Sequence, residues 1–253
     1  MELKKIENTE ENMMNILIIN GSPNRENSTT LKLTTTFLDG MNETAEIVNT
    51  IDLHINPCRA CYACWVRTSG RCIQKDDAIE LLNKIKTADL VIWSVPLYAY
   101  SVPSHCKALM DRTVCFNQPE MYVGEDGISH HYGYENGSKQ TVLISSGGLP
   151  DVAGNFDGLV FQIKHMFGKD TAAICCAEAA LFLQPETQSL TSRYLEAVGK
   201  AGAEYKAAGT INADTQAVLD APMIPREAYI QNTNAAFAQM KKCSESVLED
   251  RQF

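Results

Sequence analysis

Two short stretches of this chain carry side chains whose types and spacing suit chemistry. In the first, Cys58-Arg-Ala-Cys61-Tyr-Ala-Cys64 is followed by Cys72, a C-x2-C-x2-C-x7-C pattern. Thiolates this close in sequence can converge on one metal centre without closing a long loop, and a set of four suits a [4Fe–4S] cluster or tetrahedral zinc. The same thiols would also serve as packing groups or redox-active thiols. In the second stretch, the apolar run Ile16 to Ile19 ends at Gly21 in a loop of small polar residues, and a helical pattern begins near Leu31. A strand that breaks into a hydroxyl-rich turn and feeds a helix is a phosphate cradle. N–H groups at a helix start are unpaired and carry partial positive charge. Ser22, Ser28, Thr29 and Thr30 add hydroxyl donors to the same anion, with Asn24 beside them. The loop lacks the Lys of a G-x-x-x-x-G-K-[ST] loop and the three glycines of a dinucleotide fingerprint. It therefore suits a small monophosphate held by neutral donors, with flavin mononucleotide (FMN) the leading candidate. A Gly-Ser-Pro turn with a Ser/Thr helix cap also occurs in α/β proteins without a ligand, so the assignment depends on the rest of the chain.

The elements that would position these residues alternate. Apolar segments over 14–20, 45–51, 88–95, 140–146 and 172–183 read as strands, several of them continuous as in strands buried on both faces. Helical patterns lie over 28–41, 77–86, 103–114, 155–167 and 188–208. Alternating β and α segments predict a parallel sheet with helices on both faces, and right-handed crossovers favour the five-stranded flavodoxin-like order 2-1-3-4-5. Its ligand site lies at the carboxyl ends of the strands. The stretch 113–139 reads as a long loop, functional or mobile. Residues 1–13 read as a frayed extension, 14–208 as one FMN-binding domain, and 209–253 as an extension packed on it with a final helix over 232–248.

Two further loops meet the first at the same sheet edge. After strand three come Pro96, Leu97, Tyr98, Ala99, Tyr100 and Ser101. Pro96 removes a backbone donor and turns the chain away, while the remaining amides and the aromatic rings suit a planar heterocycle. After strand four come Ser146, Gly147 and Gly148, where two glycines permit close backbone approach to a ligand.

Taken in order, these motifs resemble the flavodoxin-like NAD(P)H-dependent FMN reductases, in particular a branch that includes the iron–sulfur flavoproteins. Gly21-Ser-Pro with Ser28-Thr29 matches the phosphate loop, although Asn27 stands where that family often has glycine. Val95-Pro-Leu-Tyr98, Ser101 and Lys107-Ala-Leu-Met-Asp-Arg112 match the isoalloxazine loop and its following helix, and Ser145-Ser-Gly-Gly148 also fits. The resemblance covers roughly 14–240. It implies the FMN phosphate on the first loop, the ring against the other two, and a homodimer or higher homo-oligomer whose partner helps cover the flavin. The cysteine spacing, followed by Asp76-Asp77, resembles the compact motif of the iron–sulfur flavoproteins.

Composition narrows the alternatives. A formal net charge of −9 disfavours nucleic acid, and no apolar run is long enough to span a membrane. Nine cysteines, an odd number in a chain with no apolar signal core, argue against a disulfide framework and for the cytoplasm. Cys106, Cys115, Cys175, Cys176 and Cys243 read as buried small hydrophobes. His130 and His131 read as a solvated pair or as substrate contacts near the flavin. With no Ser-His-Asp or H-E-x-x-H arrangement, hydrolase readings drop out, and no acid or base residue can be named. The expected function is an NAD(P)H-dependent FMN oxidoreductase that reduces a quinone, a flavin or a similar small-molecule or protein acceptor. The rivals are an iron–sulfur flavoprotein in electron transfer and a non-catalytic flavin- or metal-binding regulator.

Overall fold

The structure, a computed structural model, describes residues 14–125, 127–134 and 140–249. The predicted extension over 1–13 lies outside them. In chain order come β1 (Ile16–Asn20), α1 (Thr29–Met41), β2 (Glu46–Asn49), α2 (Ala63–Val66), α3 (Ala78–Thr87), β3 (Leu90–Pro96) and α4 (Ser104–Arg112). They are followed by β4 (Asn117–Val123), β5 (Ser129–Gly133), β6 (Gln140–Ser146), α5 (Asp157–Phe167), β7 (Ala172–Cys176), α6 (Gln188–Ala208), α7 (Ala213–Asp220) and α8 (Arg226–Glu249).

Five strands form one sheet in the order β2-β1-β3-β6-β7, each pair parallel. This is the flavodoxin-like order. All five residues of β1 are buried, because helices cover both faces. Alternate side chains feed two cores: Leu17, Ile19, Val91 and Trp93 pack with α3, α4 and α5, while Ile16, Ile18, Leu90 and Ile92 pack with α1 and α6. Cys175 and Cys176 divide between the two cores in the same way. On the second face α1 and α6 touch backbone to backbone. A Cβ at Gly202 would stand 2.0 Å from the carbonyl oxygen of Phe37, so only glycine allows that approach.

Three expectations are corrected. The last strand ends at Cys176, not 183: Glu178 adopts a left-handed conformation (φ 58) and a 3-10 helix, Ala179–Leu183, follows. Apolar composition alone could not separate these, since both pieces are buried at intervals. The 113–139 stretch contains the antiparallel β4–β5 hairpin, with Tyr122 opposite His130 and Met121 opposite His131. Its strands are largely exposed and lack an apolar face, so no alternation marked them. The C-terminal segment carries α7 as well as α8, and α8 starts at Arg226, directly after Pro225. It docks on the domain through Tyr229, whose hydroxyl donates to Gly148 O at 3.0 Å, and through the Arg226–Asp151 ion pair. Among the described residues no helix is long and apolar enough to cross a membrane.

Candidate functional site

β1 delivers its loop to the carboxyl edge of the sheet. Ser22 is buried, its N–H donating to Asn20 Oδ1 at 3.2 Å and its Oγ accepting from Asn24 N at 3.3 Å. Ser28 caps α1, with Oγ accepting from Leu31 N at 3.2 Å. The N–H groups of Thr29 and Thr30 find no acceptor among the described residues. Two aligned amides at the start of a helix of 13 residues, beside the Ser28 hydroxyl, fit a phosphate. Thr30 behaves otherwise than expected: its hydroxyl lies 2.6 Å from Ser146 Oγ, both buried. One of the two donates to the other, so this contact uses one of the two hydroxyl protons. Asn24 is exposed and Thr29 half-buried at the rim.

The second loop is a tight turn. Leu97 N donates to Ser146 O at 2.8 Å, just beyond the pairing of Pro96 with Ser146. Tyr98 and Ser101 exchange backbone hydrogen bonds at 2.9 and 3.0 Å. Between them Ala99 (φ 47) and Tyr100 (φ 62) are both left-handed without being glycine. Such residues cost roughly 1–3 kcal/mol each and cluster where a ligand or a switch repays them. The turn consumes the amides of Tyr98 and Ser101, so the expected row of free donors shrinks to Ala99 and Tyr100. The Ser101 hydroxyl donates to Gln162 Oε1 on α5 at 3.1 Å, and the rings of Tyr98 and Tyr100 stand in solvent.

In the third loop Gly147 donates to Cys176 O at 2.9 Å, and a Cβ there would meet Phe156 at 3.1 Å. Gly148 has open space where its side chain would be. The three loops therefore do lie side by side, joined by Thr30–Ser146 and Leu97–Ser146.

Sequence reasoning passed over two buried charges. Glu178, behind the third loop, is 1% exposed; its Oε2 accepts from Met223 N at 2.5 Å and its Oε1 has no hydrogen-bond partner among the described residues. Burial pushes its carboxyl above the ordinary range, against the backbone donors of Met223 and Ile224. Arg112, visible only as the end of a motif, is buried with Asp76. Its Nη1 and Nη2 donate to the two Asp76 oxygens at 2.8 and 3.1 Å and its Nε to Cys72 Sγ at 3.1 Å. Neither partnership has a local sequence signal.

Arg112 thereby pins the cysteine segment. Cys58 and Cys72 are half-buried, Cys61 exposed and Cys64 buried, and all four line one groove of about 1100 Å³. Burial, and then the neighbouring Cys72, push the Cys64 thiol up. Ala60 and Tyr62, each between two cysteines, are left-handed (φ 49 and 53). Among the described residues no three of His, Cys, Asp or Glu gather closely enough to hold a metal ion. That is not a ready-made zinc site, whose thiolates share one atom at about 2.3 Å. A [4Fe–4S] cluster is less demanding of close thiols, because each cysteine binds its own iron. Cys106, Cys115, Cys175 and Cys176 are buried as expected; the Cys243 side chain lies outside the described residues.

A family described as having a flavodoxin-like fold matches residues 14–170. An iron–sulfur flavoprotein of Archaeoglobus fulgidus is 36% identical over 40% of this chain and 49% of its own length. An FMN-dependent NADH:quinone oxidoreductase of Pseudoalteromonas atlantica is 26% identical over 62% of this chain and 80% of its own. This chain spans about half the length of the curated iron–sulfur flavoproteins it matches at 34–37% identity. Among solved structures, an FMN-dependent NADH-azoreductase from Bacillus anthracis, in complex with FMN, superposes with a TM-score of 0.55. The match covers 78% of this chain and 100% of that one at 21% identity, a likeness of fold alone.

Proposed function

This chain belongs to the flavodoxin-like fold family, and on that premise we propose that it is an FMN-dependent NAD(P)H oxidoreductase. The observation that carries the reading is the pair of unpartnered amides, Thr29 and Thr30, at the start of α1 beside the Ser28 hydroxyl. The similarity to an FMN-dependent NADH:quinone oxidoreductase agrees with it. In this reading the amides and Ser28 hold the phosphate, with Ser22 and Asn24 shaping the loop around it. Ala99 and Tyr100 offer backbone donors to the ring edge, Leu97 and Tyr98 flank the ring, and Gly148 leaves room on the third loop. FMN, once bound, supplies two-electron exchange with a nicotinamide and delivery to an acceptor such as a quinone. The chain's own share is to bind, orient and exclude side reactions. A homodimer in the cytoplasm completes the reading.

Purified protein reconstituted with FMN should show flavin bands near ~450 nm and oxidise NADH or NADPH in the presence of benzoquinone. Protein that holds FMN but oxidises neither nicotinamide with any of a panel of quinones, flavins and azo compounds would leave the regulator reading in its place.

A second reading, electron transfer through a [4Fe–4S] cluster, is favoured by the four thiols that share one groove. Cys58, Cys61, Cys64 and Cys72 would be its ligands. Iron and sulfide analysis of anaerobically prepared protein decides it: about four of each per chain supports a cluster, and their absence leaves the simpler reductase.

A further inference from the structure

The groove beside the cysteines has a second character that the thiols do not explain. Its walls are aromatic. Tyr62, Trp65 and His131 form one row of tilted rings, with centroids 5.2 and 5.0 Å apart. Tyr122, His130, His165 and Phe161 form a second row with spacings of 5.6, 5.8 and 5.3 Å. The first row bridges the cysteine segment to the β4–β5 hairpin, and the second bridges the hairpin to α5. All seven rings line the same groove.

The charge there runs against the rest of the molecule. The chain carries a formal net charge of −9, yet Arg59, Lys164 and Lys169 line the groove and have no carboxylate partner among the described residues. Asp111, the acidic residue that lines the groove, is taken by Lys107. Exposed lysines on an acidic protein, gathered over a cleft of rings, make an electropositive recess. At about 1100 Å³ it has the size of a small-molecule site. Flat π-systems stack on rings of this kind, and unpaired cations select anions. Position matters as well: Phe161 and His165 sit on α5 on either side of Gln162, which accepts from Ser101 of the candidate ring loop.

We propose that this groove binds a planar aromatic molecule carrying negative charge, its ring lying against the aromatic side chains that line it and its anionic group facing Lys164 and Lys169. Such a molecule is the class from which the proposed reductase would draw its acceptor, and in that role the inference rests on the reductase reading; as a binding site it does not. A dinucleotide has the same chemistry, rings with phosphates, and the test separates the two.

The test uses the full chain without reductant and anthraquinone-2-sulfonate as the probe. Trp65 reports the groove, while the other tryptophan, Trp93, is fully buried in the core. Saturable quenching of tryptophan fluorescence is expected, weaker at high salt. Lys164→Glu with Lys169→Glu should raise Kd by about ten-fold or more, the effect of losing a charge-assisted contact. Uncharged 2-(hydroxymethyl)anthraquinone should bind more weakly and ignore the reversal. If the reversed protein melts early, Lys164→Gln with Lys169→Gln and the salt titration of unaltered protein answer the same question. Displacement of the probe by NADH marks a dinucleotide site, and no displacement marks an acceptor site. Absence of saturable quenching, or equal Kd before and after charge reversal, overturns the proposal. NADH oxidation with uncharged benzoquinone is measured separately, so the reductase reading and the groove can fail independently.

Discussion

Arg112 directs Nε at the sulfur of Cys72, 3.1 Å away, from a side chain that is fully buried. The rest of its guanidinium forks onto Asp76, also buried, and donates to the Asn56 carbonyl. One cation thus fastens both ends of the 56–76 segment to the end of α4.

Asp76→Asn should therefore be costly, because it strands a buried guanidinium; such losses run to about 3–5 kcal/mol. Burial alone would raise the Asp76 carboxyl, but the hydrogen bonds from Arg112 and Asn56 outweigh it and hold the group below its ordinary value. A depressed folded pKa means that the contact contributes fully above the unfolded value, about 3.9, and is lost as pH falls through the lower folded value. Urea denaturation between neutral and acid pH should show this loss in the native protein and a flatter profile in Asp76→Asn. Identical profiles would show that the pair contributes nothing.

Ser28 serves as helix cap and, in the proposed function, as phosphate contact. Ser28→Ala should lower the stability of the flavin-free protein by about 1 kcal/mol and weaken FMN as well. Ser28→Asp separates the roles. The carboxylate keeps the cap but repels phosphate, so stability should hold while FMN affinity drops by about ten-fold or more. Calorimetry and FMN fluorescence titration measure the two. Unchanged FMN affinity in the Ser28→Asp variant would move the phosphate elsewhere.

The Tyr98–Ser101 turn holds two left-handed residues without glycine. Replacing Ala99-Tyr100 with Asn-Gly suits that geometry and should stabilise the flavin-free protein by about 1–2 kcal/mol. If the strain is kept for the ligand, FMN affinity should not rise with stability. A melting temperature that fails to increase would show the turn to be unstrained.

Glu178 is the opposite case to Asp76. Burial raises its folded pKa, so the folded state holds the proton more tightly than the unfolded one. Its contribution is most favourable below the unfolded value, about 4.3, and declines as pH rises through the folded value. Glu178→Gln keeps an acceptor for Met223 N and removes the charge. It should flatten the decline in stability as pH rises above the unfolded value, as read by thermal melts from acid to neutral pH. A variant that melts with the same pH dependence as the native chain would acquit Glu178.

Much of the architecture was legible in the chain itself. Runs such as Ile16 to Ile19, buried on both faces, announce strands of a parallel sheet, and parallel connectivity sends every following loop to the carboxyl edge. Hence the loops at Ser22–Thr30, Leu97–Ser101 and Gly147–Gly148 could be expected to meet. Burial periodicity and chain direction are local properties, written into the order of residue types. Which donors remain free at that edge is not local. Thr30 and Ser146 bond one another across 116 positions, Arg112 finds Cys72 across 40, and Met223 reaches back 45 to Glu178. The hairpin that carries Tyr122 and His130 has no apolar face to announce it, and it faces α5 only because the chain has folded. A buried polar group takes whichever partner the packed chain brings within reach. Residue types therefore determined the sheet and its edge, whereas the tertiary structure decided which groups at that edge are left to meet a ligand.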